Sequence, residues 1–230
     1  MRRIGYLLIF FLAVTNFLLP QQFDLISNKS PDEIRILKIL IVADQGYREQ
    51  IPGWQEEITE LVKTVSSAFE QRVGIKLEIA ELKNWKRDTK GHENRMALLR
   101  ELFNDFPRAK NANFDVVIGL TSHYLEGARG CAWTYPAYIL ITSRRCLTKL
   151  DKNGEVESEI FMLLTKEKRV ITFPSLIPHE LGHIFGCDDH ATNKNCAMYT
   201  NVNAWPTSFC NECIETIKKN KWRKFPVVKN

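Results

Sequence analysis

Internal repeats and low-complexity tracts are absent from the sequence, so the chain is neither a repeat protein nor a compositionally biased one. Hydrophobic residues at 44% and charged residues at 26% are typical of a globular protein and argue against disorder. The net charge of +5 does not indicate a nucleic-acid partner, because much of it lies in residues 218–229 without an accompanying aromatic and basic surface. A chain of 230 residues is long enough for one domain with a substantial core.

The N-terminus has the layout of a secretory signal. Arg2 and Arg3 precede an almost uncharged apolar run over 4–19, and no small-x-small cleavage site follows it. The run is shorter than the roughly twenty residues that a membrane helix needs. Residues 1–24 are therefore predicted to be either a signal peptide or an uncleaved signal anchor, with a linker over 25–33. The rest of the chain is expected to be exported, and to contact a membrane only through such an anchor.

Residues 34–225 are predicted to form a single domain of α+β class, with α-β-α layers and a twisted mixed sheet. Alternating or continuous apolar patterns predict strands at 33–44, 75–82, 114–121 and 131–143. Amphipathic patterns predict helices at 52–74 and 93–106. Pro136 indicates that the fourth strand lies at the edge of the sheet. The charged residues 144–170 are predicted to form a hairpin or surface excursion rather than a second domain.

Six cysteines are an even number, which in an exported protein favours disulfide bonds. Cys131 and Cys146 flank the fourth predicted strand. The other four lie near the C-terminus, at Cys187, Cys196, Cys210 and Cys213. The spacing of Cys210 and Cys213 also suits metal ligands, so a structural zinc ion held by these four cysteines is the alternative to disulfides.

Residues 179–190 read HELGHIFGCDDH and predict a zinc site. Helical residues four apart lie about 40° apart around the helix axis and about 6 Å along it. His179 and His183 would therefore project from one face and reach a single ion. Glu180 lies beside them and is the candidate general base, because a carboxylate can take a proton from a water molecule that zinc has acidified. An ordinary pair of core histidines is the alternative.

A short helix around this motif is predicted from its ends. Ser175 is a suitable N-cap, and Pro178 lies in the first turn, where a missing N–H has no cost. Gly186 is expected to end the helix in the left-handed conformation and to turn the chain. That turn would bring Asp189 or His190 back to the ion as its third ligand.

From His179 to Gly186 the sequence matches the first eight positions of the metzincin motif His-Glu-x-x-His-x-x-Gly-x-x-His, and Met198 stands where that family has its methionine turn. The chain thus resembles the metzincin metalloproteases over about residues 35–220. The resemblance implies an edge strand like 131–143 before the active-site helix, and a C-terminal helix after the methionine turn.

The resemblance leaves the third zinc ligand open. Strict spacing assigns Asp189, and the snapalysin-like branch uses aspartate there. The archaemetzincin-like branch has histidine, then Cys-x-Met and Cys-x-x-Cys, which resemble 196–198 and 210–213. Alignment on these motifs assigns His190 with one inserted residue before it. That branch also has a cysteine directly after its histidine, where Ala191 stands here.

The resemblance implies a secreted or membrane-anchored zinc-dependent metalloendopeptidase, a monomer whose partner is a peptide or protein substrate. Glu180 would be its base, and the substrate would pair antiparallel with the strand at 131–143. Tyr199 is expected to be either a core residue or a group that stabilises the oxyanion. The alternative function is a non-catalytic secreted module that binds zinc on the same scaffold.

Overall fold

The computed structural model describes residues 30, 32–87, 94–122, 130–134, 136–142, 176–190, 192–200 and 208–226. The strands in this part of the chain are β1 (Arg35–Ala43), β2 (Ile75–Asn84), β3 (Val116–Thr121), β4 (Gly130–Trp133) and β5 (Tyr138–Thr142). The helices are α1 (Gln45–Gln50), α2 (Trp54–Val73), α3 (Arg95–Asp105), α4 (Leu176–Ile184) and α5 (Asn211–Asn220).

The five strands form one mixed sheet in the order β2-β1-β3-β5-β4. Strands β2, β1, β3 and β5 run parallel to their neighbours, whereas β4 is antiparallel to β5 and forms one edge. Strands β3 and β5 are buried along their whole length, as expected for parallel strands covered on both faces. The prediction of an α+β fold with a mixed sheet is confirmed.

Helices cover both faces of the sheet. One core lies between the sheet and helices α2, α4 and α5, and it includes Ile39, Phe69 and Ile217. A smaller core lies on the other face, where Leu98 and Leu102 of α3 pack on the sheet. The active-site helix predicted from the sequence, α4, is therefore buried against this face of the sheet, next to β4, β5 and α2.

The predicted strand at 131–143 is wrong in one respect, because the segment is two strands. The chain reverses between β4 and β5, where Ala137 has a φ of 73° and its N–H donates to the carbonyl of Trp133 at 2.9 Å. Pro136 lies in this turn rather than within an edge strand. The edge position itself belongs to β4. Helix α1 was not predicted, since six residues are too few to show a helical period.

Two of the basic residues near the C-terminus make specific contacts with the rest of the domain. Lys221 is buried, and its Nζ donates to the carbonyl of Glu33 at 2.8 Å. Arg223 donates from Nη1 to the carbonyl of Ile184, the last residue of α4, at 3.0 Å. Part of the positive charge therefore attaches the C-terminus to the active-site helix.

Some predictions fall outside the described residues. These are the signal segment at 1–24, most of the linker at 25–33, the excursion at 144–170, Ser175 and Cys146. Among the helices that the structure describes, none combines the length and the apolar character needed to cross a membrane.

Candidate metal centres

Helix α4 presents His179 and His183 on one side and ends with a glycine turn. The N–H of Gly186 donates to the carbonyl of His183, and the N–H of Cys187 donates to that of Gly182, each at 2.9 Å. Gly186 has a φ of 91°, which a residue with a side chain adopts only with strain. This pair of hydrogen bonds is the Schellman motif, and it turns the chain back along the helix. The predicted role of Gly186 is confirmed by this geometry.

The turn brings Asp189 to the two histidines. Its Oδ1 lies 3.3 Å from Nε2 of His179 and 3.4 Å from Nε2 of His183. Ligand atoms held at about 2.0–2.1 Å from a tetrahedral ion are about 3.3 Å apart. Both distances fit one zinc ion held by His179, His183 and Asp189, and we call these three residues the histidine–aspartate group.

Backbone carbonyls orient both imidazoles. Nδ1 of His179 lies 2.8 Å from the carbonyl oxygen of Ala197, and Nδ1 of His183 lies 2.9 Å from that of Cys187. A carbonyl can only accept, so each Nδ1 carries the proton and each Nε2 keeps its lone pair for a metal ion. Burial, with the neighbouring His183 ring as a smaller cause, lowers the pKa of His179, although the Ala197 carbonyl opposes the shift. A neutral imidazole is the form that binds zinc.

Glu180 lies next to this group and is only 3% exposed. Its Oε2 is buried and has no hydrogen-bond partner among the described residues. Burial, and secondly the negative charge of Asp189, raise the pKa of Glu180 to about 8. An unpartnered buried carboxylate oxygen is costly. It fits a site whose missing partner is a water molecule or substrate beside a bound cation.

Met198 lies beneath α4. The residue is fully buried, and a methyl group added to Gly182 would overlap its sulfur. The preceding residue, Ala197, supplies the carbonyl that orients His179. The segment predicted as the methionine turn thus supports the helix from below.

A second set of potential ligands lies beyond the turn, and we call it the cysteine–histidine group. It consists of His190, Cys196, Cys210 and Cys213. Nε2 of His190 lies 3.1 Å from Sγ of Cys213 and 3.4 Å from Sγ of Cys210. Sγ of Cys196 lies 3.8 Å from Sγ of Cys213. Sulfur atoms bound at about 2.3 Å to tetrahedral zinc are about 3.8 Å apart, so the group fits a structural zinc ion.

Backbone hydrogen bonds of His190 direct its side chain and that of Asp189 to opposite sides of the chain. The N–H of His190 donates to the carbonyl of Met198 at 2.7 Å, and the N–H of Thr200 donates to the carbonyl of His190 at 3.1 Å. His190 thereby pairs with Tyr199 as a short extended segment. Successive side chains of an extended chain point to opposite sides. Asp189 accordingly faces the α4 histidines, while His190 faces the cysteines.

These positions correct the expectations for the cysteines. All five described cysteines are free thiols, so the favoured disulfides do not form among them. Cys187 is not one of the four clustered ligands; its thiol faces the carbonyl of Cys213 at 3.6 Å. His190 takes that place in the group. The structure also does not bring His190 to His179 and His183, which was one of the two alternatives for the third ligand.

The position of His190 beside the cysteines was not predicted, although the sequence carried a signal for it. If Asp189 is aligned with the third metzincin ligand, His190 falls on the position that a cysteine occupies in the archaemetzincin-like branch. Histidine can replace cysteine as a zinc ligand. This alignment therefore places Asp189 in the histidine–aspartate group and His190 in the cysteine–histidine group. Tyr199 is half-buried, and its oxyanion role stays a prediction.

With this geometry established, the comparisons with known proteins identify the class. The chain matches the model of metallo-peptidase family M12 over residues 34–220 and belongs to that family. It is a zinc metallopeptidase, as the motif at 179–186 predicted. No curated protein sequence matches it significantly.

A solved structure of similar fold agrees with this architecture. Archaemetzincin from Methanopyrus kandleri is 23% identical with a TM-score of 0.53, and the match covers 81% of this chain and 96% of that one. Archaemetzincin from Archaeoglobus fulgidus, complexed with malonate, is 20% identical with a TM-score of 0.45, covering 79% and 100%. At 23% identity, the similarity to the Methanopyrus kandleri structure shows the fold alone.

Proposed function

We propose that the protein is an endopeptidase in which His179, His183 and Asp189 hold the catalytic zinc ion and Glu180 is the general base. One observation carries the proposal. The Asp189 carboxylate oxygen lies 3.3 and 3.4 Å from Nε2 of the two histidines, at the spacing of zinc ligands, beside a buried Glu180 oxygen that has no partner among the described residues. Three protein ligands leave one position of a tetrahedral ion open, as catalytic zinc sites require.

Different residues of the chain would transfer the proton and orient the metal ligands. A bound zinc ion would polarise the substrate carbonyl and lower the pKa of a water ligand to about 7. Glu180 would take the proton of the attacking water and carry it to the leaving amine. The carbonyls of Ala197 and Cys187 would keep both imidazoles in the metal-binding tautomer throughout.

An extended substrate would bind along β4. This strand is short, forms the edge of the sheet and pairs only with β5 among the described strands. Its free side can add a substrate strand through backbone hydrogen bonds. Helix α4 lies against β4, so a peptide bound there would pass the histidine–aspartate group.

The cysteine–histidine group would hold a second zinc ion with a structural role. It offers four protein ligands, which close the coordination of a tetrahedral ion and leave no position for a substrate. The non-catalytic alternative for the whole protein is less well supported, because a binding module has no use for a buried base at Glu180.

Hydrolysis of a mixture of quenched peptides tests the proposal. The zinc-loaded protein is expected to cleave internal bonds, to stop when a chelator removes zinc, and to recover when zinc returns. Glu180→Gln should keep its zinc and lose about 10²–10⁴-fold in kcat. A Glu180→Gln variant as active as the wild type would show that another group acts as the base.

We further propose that the domain acts outside the cytoplasm. Two arginines and the apolar run at 4–19 support export. A reporter enzyme that is active only after export, fused after residue 33, should be active. An inactive but intact fusion would contradict export.

A further inference from the structure

Gly130, the first residue of β4, lies directly against Glu180. If Gly130 carried a Cβ atom, its three nearest neighbours would all belong to the Glu180 side chain. The Cβ would overlap Oε1, and it would lie 3.1 Å from Cδ and 3.2 Å from Cγ. Real Cβ atoms essentially never come as close as this overlap requires.

The backbone does not explain glycine at this position. The described glycines with positive φ are Gly53, Gly74 and Gly186, and Gly130 is not among them. Residue 130 is part of a regular antiparallel pair, opposite Ile141 of β5. Its backbone conformation therefore does not require glycine, whereas the contact with Glu180 leaves no space for a side chain.

We propose that Gly130 is a positioning residue for the general base. Because Gly130 has no side chain, the edge strand can approach α4 closely. The backbone of the strand then restricts the position of the Glu180 carboxylate. The proposal rests on the proposed function for the role of Glu180, but the contact itself does not.

Any larger residue at 130 should act through Glu180. Pairing with Ile141 holds the strand on one side, whereas the carboxylate is the mobile end of a side chain. The three tight contacts include Cγ and Cδ as well as Oε1, so a turn of the carboxylate alone does not relieve them. The whole Glu180 side chain must shift away from its place beside the histidine–aspartate group.

Gly130→Ala is therefore expected to lower kcat by about 10- to 100-fold, part of what a general base contributes. KM should change less than about twofold, because the substrate pairs with the backbone of β4, whereas the new methyl group contacts Glu180. Zinc content should equal that of the wild type. A loss confined to KM would instead assign Gly130 to substrate binding and overturn the proposal.

A double-mutant cycle tests the contact without any activity measurement. In the chelated protein, Gly130→Ala should lower the urea midpoint when residue 180 is glutamate. The same change in a Glu180→Ala background should not lower it, because the clashing atoms are gone. Equal shifts in both backgrounds would overturn the proposal.

Gly119→Ala is the matched control. A Cβ at this β3 glycine would also be crowded, at 2.9 and 3.1 Å from Leu102 and 3.1 Å from Leu140. It should lower the urea midpoint equally in both backgrounds, with kcat per folded molecule unchanged. If Gly130→Ala does not fold, the double variant with Glu180→Ala should; failure of both would overturn the proposal.

The two proposals fail differently. A wild-type protein that cleaves no peptide, or an active Glu180→Gln variant, contradicts the proposed function. The contact between Gly130 and Glu180 is then tested by the urea double-mutant cycle alone. An active wild type with an inactive Glu180→Gln variant and a fully active Gly130→Ala variant contradicts only the role of Gly130.

Discussion

Replacing His190 with alanine should remove the second zinc ion and leave the first. Nε2 of His190 is one of four ligand atoms in the cysteine–histidine group, and no atom of an alanine can replace it. When free zinc is about a thousandfold above the dissociation constant, a bound ion stabilises the folded state by about 4 kcal/mol. For a domain of this size, 1 kcal/mol shifts Tm by about 2–4 °C. Loss of the ion should therefore lower Tm by about 8–16 °C in zinc buffer.

Metal content and thermal unfolding measure this effect. The wild type is expected to hold two zinc ions per chain, one in each group, and His190→Ala one. Asp189→Ala should also hold one, but with hydrolysis lost and the cysteine–histidine ion kept. Asp188→Ala is the matched control, because this neighbouring carboxylate is exposed and belongs to neither group. With a chelator present, the Tm difference between His190→Ala and wild type should largely disappear.

The opposite result would refute the assignment. If His190→Ala lost hydrolysis and the ion bound by His179 and His183, while the cysteines kept theirs, His190 would be the third catalytic ligand. The aspartate at 189 would then be a supporting residue.

Two further predictions concern the support and the pH dependence of the site. Met198→Ala should reduce the free energy of unfolding by about 2–5 kcal/mol, because it leaves a cavity beneath α4 at a fully buried position. A loss of less than about 1 kcal/mol in urea unfolding would show that Met198 does not support the helix. Burial, and then the neighbouring sulfurs of Cys187 and Cys196, raise the pKa of Cys213, and a thiol must lose its proton to bind zinc. Zinc affinity of the cysteine–histidine group should therefore fall as pH is lowered from about 8 to 6, by about tenfold per pH unit for each proton displaced. Competition with a chelator across this range checks it, and a pH-independent affinity would mean that the thiols are not ligands.

Periodicity and end signals were enough for most of the fold. The alternating and apolar pattern of 33–44 became β1, and the helical spacing of 52–74 became α2, which ends at Gly74 with a φ of 68°. The turn that divides β4 from β5 escaped prediction, since Thr134 and Tyr135 are ordinary strand residues and Pro136 was interpreted as a sign of an edge strand. Disulfides among the five described cysteines were wrongly favoured, because the cellular compartment and an even number of cysteines do not determine which side chains lie close together.

By itself, the sequence determined the features that depend on a single helix and its end: His179 and His183 on one face, Glu180 beside them, and a turn at Gly186. These are local consequences of backbone geometry, which the residue spacing carries. Only the tertiary structure decided that Asp189 rather than His190 lies beside His179 and His183, because either residue could be reached from that turn. The pairing of His190 with Tyr199 and the docking of the helix that carries Cys213 point the two side chains to opposite sides. The same holds for Gly130 and Glu180, which are distant in the chain and meet only because β4 packs on α4.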